Sequence, residues 1–511
     1  MGSGWFPKEL PPAFTTDSLA KWVSVNASNL PDELTRRRPI QAALVTYNLA
    51  RPGKLRRKLS IPNPIPFFHL ASLIVDNKSK LFSLAETPLS CPSMPRVLRI
   101  PSAERAILPH GSSSKIQEER AHSRVGKGVL LRADISNFYG SIYTHAVDWA
   151  ISGKAAAKRR QNDKNRLGAK IDACLMAMQN MQTRGIPVGP DTSLLIAHIV
   201  LSKVDRLLVR KVKSPSGFRY MDDYELTFST RERAETALAV LEDSAAEFEL
   251  DLNSDKTFIA DLPILAEESP IQELQSFEFR APRKGQTNSI VHFFNRALDL
   301  SIEFPNQPIL RYAVGVIRNY KGVEIEDPKL LQTLILQAAT TEPGVLPIAI
   351  PALLRIRNAA TQLPKEPIAD LISWTIERHA PKGHSSEVAY SLWASRAFEV
   401  AISEKSGNLV AKMKDDVCGL LLLDLRSRNL AKFGANAERN LLTMATRENL
   451  YGEHWLFAYE AVHKGWLGIR GGSYLPKEPF FRDLHKEKVS FFDASDALIM
   501  KVVEAETLLD Y

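Results

Sequence analysis

Two adjacent carboxylates, Asp222 and Asp223, interrupt an alternation of aromatic and polar residues in RYMDDYELTF, from Arg219 to Phe228. A period of two is typical of half-buried strands, so the segment predicts a hairpin with both carboxylates at its tip. Like charges side by side repel each other, and a bound divalent cation would remove that penalty. The pair is therefore a candidate metal site, although a solvated turn would have the same local sequence.

A third carboxylate, Asp134, ends the predicted strand in KGVLLRADISNFYGSIY. A single Asp in this position is commonly a helix cap, and it gains a chemical role only if another carboxylate faces it. Residues 120–262 predict strand, helix, helix, hairpin, helix and strand, an α+β fold with helices on one face of a small antiparallel sheet. In such a sheet Asp134 could meet Asp222 and Asp223 at a pair of metal ions, as phosphoryl transfer requires.

Three further segments could bind phosphates or a base. The segment Arg51–Lys58 contains five basic residues and leads into IPNPIP, which we expect to break any helix. Such a basic loop could hold a nucleic-acid backbone or be an exposed turn. The loop GIPVGPDTS begins at Gly185, where a missing side chain would let the backbone approach a flat ligand. Lys256 lies in LDLNSDKTFI, a loop that leads into another strand.

The charge of the chain is concentrated near its N-terminus. Residues 1–130 contain 19 Lys and Arg against 9 Asp and Glu, a balance of +10, whereas the whole chain carries +8. This distribution suits a ligand that carries phosphates. The apolar runs are too short for a membrane span, the first residues lack the apolar core of a signal peptide, and the three cysteines are far apart in sequence. We therefore expect a cytoplasmic protein without a membrane partner.

The organisation of the chain changes near Gly285. The first 50 residues predict a mostly helical lead-in, and residues 1–285 form the first expected domain. Residues 286–511 predict a succession of apolar helices with proline-containing connections, for example Ile309–Asn319, Glu366–His379 and Glu387–Ser403. We interpret this second domain as an all-α, HEAT-like helical-repeat array, a kind of fold that usually binds partners.

Taken in chain order, these motifs resemble those of reverse transcriptases. YMDD, from Tyr220 to Asp223, is similar to their metal-binding signature, and ADISNFYGSIY to the strand with the first catalytic aspartate. GIPVGPDTS resembles the loop that supports template and incoming base, LNSDKT the motif whose lysine lies near the triphosphate, and LRRKLSIPNPIP the basic finger segment. The resemblance covers about residues 50–260 and implies reverse-transcriptase-like fingers and palm, with a helical-repeat domain after them.

The resemblance also implies roles for individual residues. Asp134, Asp222 and Asp223 would be catalytic and would bind two Mg²⁺ or Mn²⁺ ions. Tyr139 falls where the family keeps an aromatic steric gate, which implies deoxynucleotide substrates, and Lys256 would be the acid for the leaving pyrophosphate. The other expected nucleotide-binding residues are Arg56, Arg57, Lys58, Arg184 and Gly185. Arg184 departs from the family, because templated members usually carry Gln there, and this weakens the case for templated synthesis.

The helical second half of the chain indicates which group of reverse-transcriptase-like proteins the sequence resembles most. We find no thumb, maturase, retron or endonuclease signature, and the arrangement resembles bacterial abortive-infection polymerases, the group with AbiK, AbiA and prophage-encoded relatives. This implies an oligomeric antiphage enzyme of the bacterial cytoplasm that makes single-stranded DNA from dNTPs without a template, in the manner of a terminal transferase. The DNA would be attached to a priming tyrosine, for which Tyr47 is the first candidate and Tyr511 the second; each could equally be an ordinary packed or exposed aromatic.

Two other functions fit parts of the same sequence. One is a templated RNA-dependent DNA polymerase of the retron or group II intron type. The other is a non-catalytic scaffold that binds nucleic acid through its basic N-terminal part. Retention of the three aspartates and Lys256 argues against the scaffold.

Overall fold

The computed structural model describes residues 2–53, 56–97, 105–111, 113–213, 215–264, 270–319, 324–359 and 363–499. Its N-terminal part combines helices with two short hairpins: α1 (Asp17–Val25), α2 (Asp32–Thr35), β1 (Val45–Ala50), β2 (Arg56–Ile61), α3 (Pro64–Asp76), α4 (Lys78–Ala85), β3 (Pro95–Val97), β4 (Ile107–Pro109) and α5 (Ser113–Arg124). The central part follows as β5 (Val129–Asp134), α6 (Phe138–Ser141), α7 (Thr144–Ser152), α8 (Lys154–Arg159), α9 (Leu167–Met178), α10 (Asp191–Val212), β6 (Ser216–Tyr220), β7 (Asp223–Phe228), α11 (Arg231–Ala246) and β8 (Phe258–Asp261).

The remaining described residues are mainly helical: α12 (Pro270–Gln275), α13 (Gln286–Glu303), α14 (Ile309–Asn319), α15 (Pro328–Thr341), α16 (Leu346–Ala359), α17 (Glu366–His379), α18 (Ser385–Phe398), α19 (Glu404–Lys412), α20 (Asp416–Ser427), α21 (Ala435–Met444), α22 (Trp455–His463) and α23 (Pro479–Lys486). The helices α14, α16, α18, α20 and α22 contact one another in succession, and α15, α17, α19 and α21 do the same beside them. The result is two layers of helices. No described helix has the length and apolar character needed to cross a bilayer.

A four-stranded antiparallel sheet with the order β6–β7–β5–β8 forms the centre of the central part. Helix α11 packs against β5, β7 and β8, and α5 packs against β6 and β7. Apolar residues of β5 and β7, such as Leu131 and Leu226, are fully buried between these layers. The predicted small antiparallel sheet with helices is confirmed, but the helices cover both faces: α5 bonds Glu225, whereas α10 bonds Tyr224, the next residue on β7.

The last three residues of the basic segment, Arg56–Lys58, lie in a strand rather than in the expected loop. Strands β1 and β2 pair antiparallel from Val45 opposite Ile61 to Ala50 opposite Arg56, and we call these two strands the finger hairpin. The prediction of a mostly helical lead-in is also wrong, because only α1 and α2 precede this hairpin in the described residues. β-branched and aromatic residues in β1 favour the strand over a helix.

The proline-rich segment after β2 begins a helix instead of breaking one. Pro64 is the first residue of α3, where a missing N–H removes no intrahelical hydrogen bond. The side chain of Asn63 caps the helix by accepting a hydrogen bond from the Ile65 amide at 3.1 Å. Proline therefore marks the helix start, and the prediction for IPNPIP is wrong.

One continuous hydrophobic core joins the N-terminal residues to the last helices. Trp5 stacks on Phe67 and on Trp455, with ring centroids 5.1 and 6.1 Å apart. The Trp455 indole donates a hydrogen bond to the carbonyl of Ile61 at 3.1 Å, and the Thr15 amide donates to the carbonyl of Phe491 at 3.0 Å. The domain boundary at residue 285 stays a prediction, and the finger hairpin packs directly on the helical half.

Candidate active site

The three predicted aspartates meet at one end of the central sheet. Asp134 is the last residue of β5 and lies directly opposite Asp223, the first residue of β7. The Ile135 amide donates a hydrogen bond to the carbonyl of Asp222 at 3.3 Å, which ties the two chain segments together beyond the paired strands. Carboxylate oxygens of Asp134, Asp222 and Asp223 lie within 4.8 Å of one another. We call these three residues the acidic cluster.

The hairpin tip that presents Asp222 has a strained backbone with its own supports. Met221 has a φ of 55°, in the left-handed region that non-glycine residues adopt only where the surroundings enforce it. Its amide donates a hydrogen bond to the Ser93 hydroxyl at 2.6 Å, and its carbonyl accepts one from the Arg219 guanidinium at 2.6 Å. Both bonds hold the turn, so Asp222 is positioned by groups outside the YMDD sequence.

A buried ion pair stands behind this turn. The side chains of Arg219 and Asp205 are both fully buried, and they make hydrogen bonds of 2.8 to 3.1 Å from both the ε and η2 nitrogens. The hydroxyls of Tyr224 and Thr87 also donate to the Asp205 carboxylate, at 2.7 and 2.6 Å. A buried charge is stable only with such complete pairing. The network therefore links α10 to the strands that carry the acidic cluster.

The electrostatics of the acidic cluster favour a cation. Burial, followed by the charges of Asp134 and Asp222, raises the pKa of Asp223 to about 6. Burial also raises the pKa of Asp222, and the nearby Asp134 carboxylate adds to that effect. Close carboxylate oxygens with little exposure are the ligands that Mg²⁺ and Mn²⁺ prefer. The residues present therefore fit divalent metal ions.

Lys256, one of the site residues expected from sequence, lies beside the acidic cluster. Its ammonium group is 3.0 Å from the Asp134 carboxylate, and its side chain is 62% exposed, so it is free to turn toward a ligand. Asn253 contacts the same carboxylate through its side-chain amide at 3.2 Å, and its backbone amide donates to the Asp134 carbonyl at 2.7 Å. Sequence reasoning missed the role of Asn253, although it lies three residues before Lys256 in the quoted motif.

Tyr139 and the loop at Gly185 are neighbours. The amide of Ile186 donates to the carbonyl of Tyr139 at 2.9 Å, and Gly185 has a φ of 85°. A Cβ at Gly185 would lie 3.3 Å from the carbonyl oxygen of Gly140, so both the backbone angle and the close approach favour glycine. Burial raises the pKa of the Tyr139 phenol, as does the charge of Asp222, which places this ring near the acidic cluster.

Arg184 is exposed and pairs through its backbone with Tyr143 in an isolated bridge. The structure therefore places its side chain at the surface, next to the segment that carries Tyr139. A second arginine near Tyr139 escaped the sequence reasoning. Arg105 influences the Tyr139 phenol electrostatically and donates to the carbonyl of Gly189 at 2.9 Å. No local motif pointed to Arg105.

The three basic residues of the finger hairpin have different surroundings. Arg57 is exposed, and its positive charge acts to lower the pKa of both Asp222 and Tyr139. Lys58 is exposed and, because side chains alternate along a strand, points to the other side. Arg56 pairs with the helical half, because its guanidinium donates two 2.7 Å hydrogen bonds to the carboxylate of Glu387. We therefore withdraw Arg56 as a phosphate ligand.

The first candidate priming tyrosine, Tyr47, is not brought to the acidic cluster. The side chain of Tyr47 is fully buried, and its hydroxyl has no hydrogen-bond partner among the described residues. Burial raises the pKa of this phenol far above its ordinary value, with further contributions from Tyr390 and Asp415 of the helical half. A priming hydroxyl must reach the metal ions, so Tyr47 cannot prime in this conformation. Tyr511 lies outside the described residues.

Comparison with known proteins supports a polymerase domain in this part of the chain. Residues 88–281 match the family model described as reverse transcriptase (RNA-dependent DNA polymerase). This range contains the acidic cluster, Tyr139 and Lys256, and excludes the finger hairpin. No curated protein matches the chain. Among solved structures, telomerase from Candida albicans in complex with a fragment of telomeric RNA matches with 10% identity and a TM-score of 0.28, over 73% of this chain and 69% of that one.

Proposed function

We propose that this protein is a metal-dependent DNA polymerase that adds deoxynucleotides at the acidic cluster. The observation that carries the proposal is the convergence of three carboxylates, from the ends of β5 and β7 and from the turn before β7, with Lys256 and Tyr139 beside them. Asp134, Asp222 and Asp223 would hold two Mg²⁺ or Mn²⁺ ions, which when bound activate an attacking hydroxyl and stabilise the leaving pyrophosphate. The residues around the cluster would then position the nucleotide.

Positive charge near the cluster suits a triphosphate. Arg57 and Lys256 both act electrostatically on Asp222, and they approach it from the finger hairpin and from the loop before β8. Lys256 is exposed enough to leave Asp134 and contact the β- and γ-phosphates, where it could also supply a proton to the pyrophosphate. Arg57 would contact the phosphates from the other side.

Tyr139 would exclude ribonucleotides. Replacing Tyr139 with Ala removes the ring that would collide with a 2′-hydroxyl, so incorporation of rNTPs relative to dNTPs should rise by about a hundredfold. The measurement is the ratio of kcat/KM values for matched nucleotides. Tyr139→Phe keeps the ring and should leave the ratio unchanged. Equal ratios in the Ala variant and the unmodified protein would remove Tyr139 as the gate.

The finer proposal is an abortive-infection polymerase that works in the bacterial cytoplasm, without a template, and as a homo-oligomer. Its support is the departure at Arg184 together with the long helical half, in which alternate helices contact one another as in a HEAT-like array. Priming from a tyrosine would give single-stranded DNA attached to the protein. Tyr47 could serve only after the finger hairpin separates from α18, and Tyr511, which lies outside the described residues, is the alternative.

The test is incubation of purified protein with dNTPs and Mg²⁺ or Mn²⁺ in the absence of template and primer. We expect DNA that stays attached to the protein through denaturation, and mass spectrometry of the peptides identifies the residue that carries it. Synthesis that depends on added RNA, with a product complementary to it, would favour the templated polymerase. Nucleic-acid binding without nucleotide incorporation, with or without added RNA, would favour the non-catalytic scaffold.

A further inference from the structure

A second group of metal-ligating side chains lies far along the chain from the acidic cluster, in the turn between α17 and α18. His379 ends α17, His384 precedes α18, and Glu387 lies in the first turn of α18. The two Nδ1 atoms are 2.9 Å apart, and each lies 3.4 Å from the same Glu387 oxygen, Oε1. The two Nδ1 atoms and Oε1 all carry lone pairs, which repel one another at these distances. A proton or a cation must therefore lie between them.

The triangle has the dimensions of a transition-metal site. Ligand atoms at about 2.0–2.1 Å from a tetrahedral Zn²⁺ lie roughly 3.3 Å from one another. Two imidazole nitrogens and one carboxylate oxygen are also a ligand set that Zn²⁺ accepts, with the fourth position left to water or another group. We propose that His379, His384 and Glu387 form a Zn²⁺ site that is separate from the polymerase centre.

The Glu387 carboxylate keeps room for the ion beside its pairing with Arg56. The Arg56 guanidinium donates a 2.7 Å hydrogen bond to each of its two oxygens. A carboxylate oxygen has two acceptor positions. Glu387 can therefore contact both the ion and Arg56.

Access and position agree with a structural role. The side chain of His384 is 22% exposed, whereas those of His379 and Glu387 are 11% and 3% exposed, so the site opens to solvent on one side. The same turn holds the finger hairpin. The Gly383 carbonyl accepts a hydrogen bond from the Asn48 side chain at 2.9 Å, and Arg56 binds Glu387. A bound ion would thus fix the turn that anchors the hairpin.

The test measures Zn²⁺ bound per chain after equilibration with Zn²⁺ in excess Mg²⁺, which occupies the acidic cluster. We expect one Zn²⁺ per chain, a higher melting temperature than with Mg²⁺ alone, and loss of both effects in His384→Gln. The matched control is His463→Gln. His463 and His485 also face each other with Nδ1 atoms 3.0 Å apart, but no third ligand joins them within the described part of the chain. This variant should keep the ion.

A second measurement needs no variant and covers the case in which His384→Gln fails to fold. Diethylpyrocarbonate modifies accessible neutral imidazoles, so Zn²⁺ but not Mg²⁺ should protect His384 in the wild-type protein. His122, whose side chain is 75% exposed, serves as the unprotected internal reference. Absence of Zn²⁺ from the wild-type protein, equal binding by His384→Gln, or unchanged modification of His384 would each overturn the proposal and leave a proton shared between the imidazoles.

Discussion

Replacing Asp222 with Asn is expected to reduce nucleotide incorporation by on the order of a thousandfold while the protein stays folded. The side chain keeps its size, but the acidic cluster loses one of the charges that would hold the metal ions. Asp222 is at the hairpin tip, where Ser93 and Arg219 hydrogen-bond the backbone of Met221. The substitution leaves these bonds intact, so we expect the backbone to keep its conformation. The measurement is the single-turnover rate with saturating dNTP and Mg²⁺.

The control for this variant is Asp261→Asn. Asp261 belongs to the same sheet, but its side chain is 71% exposed and makes a surface ion pair with Arg231. Its substitution should leave the rate unchanged. A rate for Asp222→Asn within a few-fold of the wild-type value, with normal folding, would show that synthesis does not depend on the acidic cluster.

Replacing Asp205 with Asn should lower the free energy of unfolding by about 3–5 kcal/mol. The substitution leaves the Arg219 guanidinium fully buried without its counter-charge, although the amide keeps the shape of the carboxylate. Tyr224 and Thr87 would also lose the anionic acceptor of their hydroxyl hydrogen bonds. Urea denaturation followed by circular dichroism measures the change.

Asp261→Asn serves here too, because an exposed pair contributes about 0–1 kcal/mol. The contrast between the two variants separates the effect of burial from the loss of an ion pair as such. Equal, small changes in both would mean that water reaches Arg219 and screens it. In that case the ion pair does not support the hairpin tip, and the position of Asp222 has another cause.

The sequence by itself was sufficient to locate the acidic cluster. Asp222 and Asp223 at a hairpin tip, with Asp134 at the end of a buried strand, follow from period-two alternation and from the order of the motifs. Antiparallel pairing then brings the ends of β5 and β7 together. Lys256 was identified from the resemblance of its motif to that of reverse transcriptases, and it lies near Asp134 because this motif directly precedes β8, the neighbour of β5.

Only the tertiary structure assigned partners to residues that look alike in sequence. Arg56 and Arg57 are adjacent basic residues, but side chains alternate along β2. Arg56 therefore points toward Glu387, 331 positions away in the sequence, and Arg57 lies near Asp222. From the sequence alone, Tyr47 could be an accessible nucleophile. In the fold its side chain is fully buried beside the helical half. Local patterns determine which element a residue belongs to and where that element ends. Which charge is paired or which hydroxyl is buried depends on contacts between distant segments, because packing across the fold decides which groups lose contact with water.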